Sequence, residues 1–237
     1  EAKRYSKLAA DENNSNSLNR LGYLYGDDYK EARKYFISSA KKFNREAMNN
    51  IGALYHNGKG VKQDYIKAKE YYELSTKQNF YLAFRNLGTL YYFGNGVKQD
   101  YIKAKDYFEK ASELNDSESF YNLALLYLKG IGVKQDYLQA KKYLELSAQY
   151  DNIKAINELG ILYYNGKGVK KDYLKAKEYF ELSAKQNDPL AFNQLGALYF
   201  NGEGVKKDYQ KAKEYFELSA HLSNPIGLSN MAKLYLF

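Results

Sequence analysis

The fold of this 237-residue chain is decided by a short stretch, NGKGVKQDY at residues 57–65. Its Gly-x-Gly-Val core recurs every 36 residues, with the first glycine at Gly58, Gly94, Gly130, Gly166 and Gly202. Other columns return at the same interval, including Leu54-Tyr55 before the core and Ala68 after it. A fixed period of about 20–50 residues is the sequence signature of a repeat array. The chain is therefore predicted to be one array.

Each repeat contains two helical patterns, called helix A and helix B from here on. In the last full repeat, apolar residues at spacings of three and four mark helix A at Ala191, Phe192, Leu195, Gly196, Leu198 and Tyr199, and helix B at Ala212, Tyr215, Phe216, Ser219 and Ala220. Capping residues precede both patterns, Asp188 before helix A and Asp208 before helix B. Asn44, Asp116, Asn152 and Asn224 share the Asp188 column, whereas Phe80 departs from it. An all-α fold is predicted.

The quoted stretch is interpreted as a helix-to-helix connection and not as a phosphate-binding loop. Gly58 is expected to end helix A in the left-handed conformation, and Asp64 is expected to cap helix B. A phosphate-binding loop follows a strand and carries Lys-Ser/Thr or a third glycine at a fixed spacing, and none of the five copies does. No cofactor is predicted.

A family resemblance rests on the repeated columns, which read in the last full repeat Leu195-Gly196-x-Leu198-Tyr199-x-x-Gly202-x-Gly204-Val205-x-x-Asp208-x-x-Lys211-Ala212-x-x-Tyr215-x-x-x-Ser219-Ala220. They resemble the Sel1-like repeat (SLR), a relative of the tetratricopeptide repeat, and the likeness covers essentially the whole chain. The resemblance implies an α/α solenoid, a right-handed superhelix of stacked 36-residue antiparallel helix pairs. It also implies an adaptor or scaffold that binds other proteins.

Glycine recurs inside helix A at Gly22, Gly52, Gly88, Gly160 and Gly196, and alanine replaces it at Ala124. A glycine in a helix costs about 1 kcal/mol relative to alanine. The recurrence therefore predicts close approach of a neighbouring helix.

The domain prediction is a single solenoid over residues 1–237. Its parts are a partial repeat at 1–13, six repeats at 14–43, 44–79, 80–115, 116–151, 152–187 and 188–223, and a half repeat at 224–237. The first repeat has a connection six residues shorter than the others. Both ends of the sequence fall inside a repeat, so a piece of a longer protein is expected. Any signal, anchor or catalytic neighbour would then lie outside this sequence.

Composition excludes several classes of protein. The chain has no cysteine, so it has no disulfide framework and no thiolate metal site. No apolar run reaches the roughly 18 residues of a membrane helix, and the N-terminus lacks the apolar core of a signal peptide. Bacterial members of the resembled family are often exported, so the resemblance favours a periplasmic or secreted bacterial protein, with a cytoplasmic location as the alternative.

The candidate binding site is a stripe of helix A positions that vary from repeat to repeat. In the resembled solenoids helix A lines the concave surface, so the resemblance implies a groove for a protein or peptide. The predicted contact residues are Asn49, His56, Arg85, Tyr92, Tyr121, Leu128, Asn157, Tyr164, Asn193 and Phe200. Two alternatives stay open: the asparagines bridge adjacent helices or face water, and the aromatics pack against the neighbouring repeat.

The sequence predicts no enzyme and no metal site. Its two histidines, His56 and His221, lie in different repeats, and the helix B glutamates follow lysines by four residues, the pattern of solvated surface pairs. A net charge of +8 leaves a second candidate, an edge of connecting-loop lysines that binds nucleic acid or an anionic surface, at Lys62, Lys98, Lys134, Lys170 and Lys206. No nucleic-acid module is recognised, so nucleic acid is disfavoured. A regulatory module of a larger protein is the third alternative, and the oligomeric state is left undecided.

Overall fold

The computed structural model describes residues 14–222 and 224–234. Within these residues the secondary structure is helical and contains no strand, and the helices are α1 Ser15–Leu24, α2 Tyr29–Ala40, α3 Arg45–Asn57, α4 Tyr65–Thr76, α5 Tyr81–Phe93, α6 Tyr101–Ser112, α7 Ser117–Lys129, α8 Tyr137–Ala148, α9 Ile153–Asn165, α10 Tyr173–Ala184, α11 Pro189–Asn201, α12 Tyr209–His221 and α13 Pro225–Leu234. Odd-numbered helices are helix A and even-numbered helices are helix B. The partial repeat at 1–13 and the last residues, 235–237, lie outside the described part.

The chain divides between Ser119 and Phe120 into two compact units. Within each unit, helix A packs against helix B of its own repeat, and that helix B packs against the next helix A. The all-α prediction of stacked helix pairs is confirmed.

The connections form as the sequence predicts. Gly58 follows α3 in the left-handed region at φ 67°, and its N–H donates to the Leu54 carbonyl. Asp64 Oδ1 accepts a hydrogen bond of 3.0 Å from the Lys67 N–H at the start of α4. Phe80, the exception in the capping column, makes no side-chain cap. The quoted stretch is thus a helix-to-helix connection.

The helix A glycines make room for a ring from helix B of the same repeat. A β-carbon at Gly160 would lie 2.5 Å from Cε1 of Phe180, and one at Gly88 would lie 2.6 Å from Cε1 of Phe108. Such contacts are shorter than packed side chains allow. The predicted close approach is confirmed, and it occurs inside each helix pair that carries the glycine.

The second glycine of four connections lies against the preceding repeat, at Gly60, Gly96, Gly168 and Gly204. Gly60 has φ 68°, and a β-carbon there would lie 2.7 Å from Cβ of Tyr29. Gly96 makes the same approach to Tyr65, at 2.6 Å. Glycine is required here both by the backbone conformation and by the contact.

Tyrosines that recur in the repeat build an interface between helix A and helix B. Their rings stack in pairs, for example Tyr55 on Tyr71 with centroids 5.8 Å apart and Tyr163 on Tyr179 at 5.6 Å. The Lys175 ammonium lies 4.5 Å from the centroid of the Tyr163 ring. These framework tyrosines therefore contribute packing.

Candidate partner-binding surface

The predicted contact residues occupy two columns of helix A. We name the first, Asn49, Arg85, Tyr121, Asn157 and Asn193, the amide column, and the second, His56, Tyr92, Leu128, Tyr164 and Phe200, the ring column. The two columns differ in how far their side chains are already engaged within the protein.

Two members of the amide column bridge neighbouring A helices. Asn49 is 5% exposed, and its Oδ1 accepts a hydrogen bond of 2.9 Å from Asn86 Nδ2 in the next helix A. Asn193 repeats this arrangement and accepts from Asn230 Nδ2 at 2.7 Å. The first alternative for the asparagines, bridging adjacent helices, applies to both. Contact of either side chain with a partner stays a prediction.

Arg85 is engaged by a capping residue of the next repeat. Its Nη1 donates to Asp116 Oδ1 at 2.8 Å, and Asp116 is 5% exposed. The other carboxylate oxygen of Asp116 accepts from the Ser119 N–H at the start of α7. Because an unpaired buried carboxylate is costly, Arg85 has a structural role within this unit.

Asn157 departs from the pattern of the other asparagines. It is 3% exposed, and its buried Oδ1 has no hydrogen-bond partner. The next helix A carries Gln194 where the other repeats carry Asn86 and Asn230. Beside it, burial raises the pKa of Glu158, while the positive charges of Lys129 and Lys167 act in the opposite direction. Asn157 thus differs from Asn49 and Asn193, whose side-chain oxygens each accept a hydrogen bond from the next helix A.

The ring column rests on the first tyrosine of helix B in the same repeat. The contacts are edge-to-face, with centroids 5.2 Å apart for His56 on Tyr65, 5.4 Å for Tyr92 on Tyr101, 5.3 Å for Tyr164 on Tyr173 and 5.3 Å for Phe200 on Tyr209. Leu128 packs in the cluster that contains Tyr137. All five side chains are half-buried. The aromatic rings thus pack on a tyrosine of their own repeat and stay partly exposed.

Tyr164 is held at its hydroxyl as well as by its ring. It donates to Glu203 Oε2 at 2.6 Å, and Glu203 also accepts from the Tyr173 hydroxyl at 3.2 Å and from Asn201 Nδ2 at 3.1 Å. Burial and the hydrogen bond to Glu203 raise the pKa of Tyr164 to about 12. Burial opposes ionisation of Glu203, but the three hydrogen bonds outweigh it and lower the pKa of Glu203.

Tyr121 is half-buried, with the Lys154 ammonium 5.7 Å from its ring centroid. It shares its unit with Asn157, Tyr164, Asn193 and Phe200.

The sequence pattern did not identify the partners of these columns. Asn86, Asn230 and Glu203 complete the contacts but were not among the predicted residues. Asparagine recurs one position after the amide column, at Asn50, Asn86, Asn122 and Asn230, and that recurrence was the available signal. For Glu203 no repeated pattern exists, because its position holds a different residue type in most repeats.

Other predicted features lie away from these columns. The loop lysines of the second candidate are exposed, and helix B pairs such as Lys69 with Glu73, at 2.8 Å, lie at the surface. Within residues 14–222 and 224–234, no group of three acidic or histidine side chains is arranged to hold a metal ion. No helix in the described part of the chain has the length and hydropathy of a membrane span.

Stacked pairs in which one helix carries the variable residues define an α/α-solenoid repeat protein. The Sel1 repeat model matches residues 15–42, 45–80, 83–116, 117–149, 153–188 and 189–224. The chain belongs to the Sel1 repeat family. Members of this family generally act as protein-interaction scaffolds and are generally non-enzymatic.

Solved structures agree with this assignment. A Sel1 repeat protein from Oxalobacter formigenes has a TM-score of 0.83 and 31% identity, with 89% of each chain covered. The c5321 protective antigen of uropathogenic Escherichia coli, which displays an SLR fold, has a TM-score of 0.84 and 28% identity over 98% of this chain. The present chain spans 51% of that protein. Immunity protein Pa5087 from Pseudomonas aeruginosa shares the fold, with a TM-score of 0.58 and 22% identity over 90% of this chain and 83% of its own. Comparison with curated protein sequences gave no match.

Proposed function

We propose that this chain binds a partner protein or peptide on the helix A surface and catalyses no reaction. One observation carries the proposal: in the five repeats that have a ring-column residue, the supporting residue is always tyrosine while the ring-column side chain itself changes. A side chain that varies between repeats but is held in place by a constant tyrosine is suited to recognition, because it loses little conformational freedom on binding.

The exposed sides of these rings supply the binding energy. Aromatic side chains in well-packed surroundings are the residues most often found to dominate interfaces. Tyr164 and Phe200 lie in one unit, each held edge-to-face by its own tyrosine. A partner that contacts both would displace water from two half-buried rings without reordering them.

The test compares capture of a partner from source-cell proteins by two variants. Tyr164→Ala with Phe200→Ala removes both rings. Leu138→Ala with Leu174→Ala removes two helix B side chains that are 68% and 61% exposed, and serves as the control. Circular dichroism establishes that both variants fold.

A specific partner that the control retains, and that the ring variant binds about tenfold or more weakly, supports the proposal. Equal capture by both variants refutes it. The loop lysines then become the candidate surface, and binding through them would weaken steeply with added salt.

We also propose export of the protein from a bacterial cell. The support is the family resemblance. Fractionation of cells that express the complete gene product tests it, and recovery only with cytoplasmic markers would refute it.

A further inference from the structure

The first repeat lacks a member of the ring column. Its short connection places Gly26 where later repeats carry His56, Tyr92 or Tyr164. Gly26 has φ 53°, and a β-carbon there would meet nothing within 4 Å. The first tyrosine of that repeat's helix B, Tyr29, is present as in every other repeat. A supporting tyrosine is therefore retained without the side chain that rests on it elsewhere.

A cavity of about 340 Å³ opens at this place. Its apolar lining includes Gly22, Phe36 and Ala53, and its polar lining includes Asp27 and Lys59. An enclosed engineered cavity of about 150 Å³ accommodates benzene, which indicates the volume that one aromatic ring needs. This cavity accordingly has room for an aromatic side chain with a polar tip.

In the fifth repeat, the Tyr164 side chain occupies the position that is empty beside Gly26. The repeat pattern aligns Tyr173 with Tyr29 and Ala197 with Ala53, and it aligns Glu203 with Lys59. In that site the Tyr164 ring meets Tyr173 edge-to-face at 5.3 Å. Its hydroxyl reaches Glu203 at 2.6 Å.

The exchange of Glu203 for Lys59 reverses the role of the hydroxyl. The Lys59 ammonium lies 4.9 Å from the centroid of the Tyr29 ring, at the side of the cavity. A phenol oxygen in this cavity would accept a hydrogen bond from the Lys59 ammonium. The Tyr164 hydroxyl, by contrast, donates one to the Glu203 carboxylate. Asp27 also lines the cavity, so a neutral phenol suits it better than a phosphate or a carboxylate.

We propose that this cavity binds a tyrosine side chain of the partner, in the position that Tyr164 occupies within its own repeat. The proposal rests on the proposed function for the identity of the ligand as part of a partner. The cavity itself is independent of whether Tyr164 and Phe200 contact that partner.

The probe is N-acetyl-L-tyrosinamide, titrated into the full chain and followed by the amide chemical shifts of residues around Gly26 and Ala53. N-acetyl-L-phenylalaninamide is the matched probe without the hydroxyl. Ala53→Ile fills the cavity with a side chain that Ile161 shows the column accepts. Thr89→Ile introduces the same side chain at the equivalent position of the next repeat and is the control. Lys59→Ile removes the ammonium, with Ile131 as its precedent in the loop.

We expect saturation at roughly millimolar tyrosine probe, with the phenylalanine probe about tenfold weaker because it lacks a hydrogen bond to a charged group. Ala53→Ile should weaken binding at least about tenfold, Thr89→Ile should leave it unchanged, and Lys59→Ile should remove the preference for tyrosine.

Absence of saturation, equal affinity for the two probes, or binding by Ala53→Ile as tight as by the unaltered protein would overturn the proposal. Probe affinity that falls as protein concentration rises would show that a second copy fills the cavity, and would also overturn it. Partner capture that the Tyr164 and Phe200 variant retains in full, with probe binding also retained, would count against the proposed function or its surface and leave the cavity assignment standing.

Discussion

Replacing Gly160 with alanine should destabilise the protein even though alanine is the better helix former. Propensity alone would add about 1 kcal/mol of stability. The new β-carbon, however, would lie 2.5 Å and 2.7 Å from two ring atoms of Phe180, a side chain that is 1% exposed. Overpacking of this kind costs about 1–3 kcal/mol. A buried ring has little room to move, so we expect a cost of about 2–3 kcal/mol, at the upper end of this range, and hence a net loss of about 1–2 kcal/mol.

The fourth repeat indicates how the loss is relieved. There Ala124 replaces the glycine, Leu144 replaces the aromatic residue, and both lie fully buried in one cluster. Phe180→Leu alone should cost about 1–2 kcal/mol through the space it leaves. Combined with Gly160→Ala, it should bring stability back to within about 1 kcal/mol of the unaltered protein. The expected coupling between the two sites is therefore about 2 kcal/mol.

Urea unfolding followed by circular dichroism measures these differences. Because a repeat array does not always unfold in one step, hydrogen exchange of the amides in α9 and α10 provides a local measurement. Stabilisation by Gly160→Ala of about 1 kcal/mol would show that propensity outweighs the contact. If the double variant is no more stable than the less stable of the two single variants, the inference that alanine in helix A requires leucine in helix B is refuted.

Four further substitutions test other contacts. Asp208→Ala removes a helix N-cap and should lower the free energy of unfolding by about 1 kcal/mol in urea unfolding; no change would show that solvent replaces the cap. Asn157→Leu should be neutral or stabilising because its Oδ1 has no partner, whereas Asn193→Leu should cost about 1–2 kcal/mol because Asn230 loses its acceptor; equal effects would contradict this contrast. The pKa of Glu158 is raised in the folded state, so its ionised form favours unfolding. Glu158→Gln should therefore raise stability at neutral pH, with the gain vanishing below the ordinary carboxyl pKa, and a gain independent of pH would point to another cause.

The repeat period and the local signals of caps and turns predict the helices closely. The spacing of apolar residues locates both helices of each repeat, and Gly58 and Asp64 end one and begin the next as expected. These features depend on residues within a few positions of each other, which a sequence pattern shows directly. The recurring glycines of helix A also predicted a contact, since close approach of a neighbouring helix explains why their cost in helix propensity is repeated.

Contacts between repeats were harder to predict. The bond between Asn49 and Asn86 joins residues 37 positions apart, and the angle between successive A helices decides whether it forms. The position of Asn49 on its helix predicts only which way the side chain points. The Tyr164 contact with Glu203 depends likewise on the approach of the next loop. Sequence spacing located the variable surface but did not reveal which of its groups are already bonded.

The contact of each connection with the preceding repeat also bears on how such a chain grows. The Gly60 contact with Tyr29 joins two adjacent repeats, and Gly168 makes the same contact with Tyr137, at 2.5 Å. Both halves of the joint are present in the same form in each of these copies. A duplication of one of these repeats therefore creates a new junction that already fits. The number of repeats can therefore change under little structural constraint at these junctions.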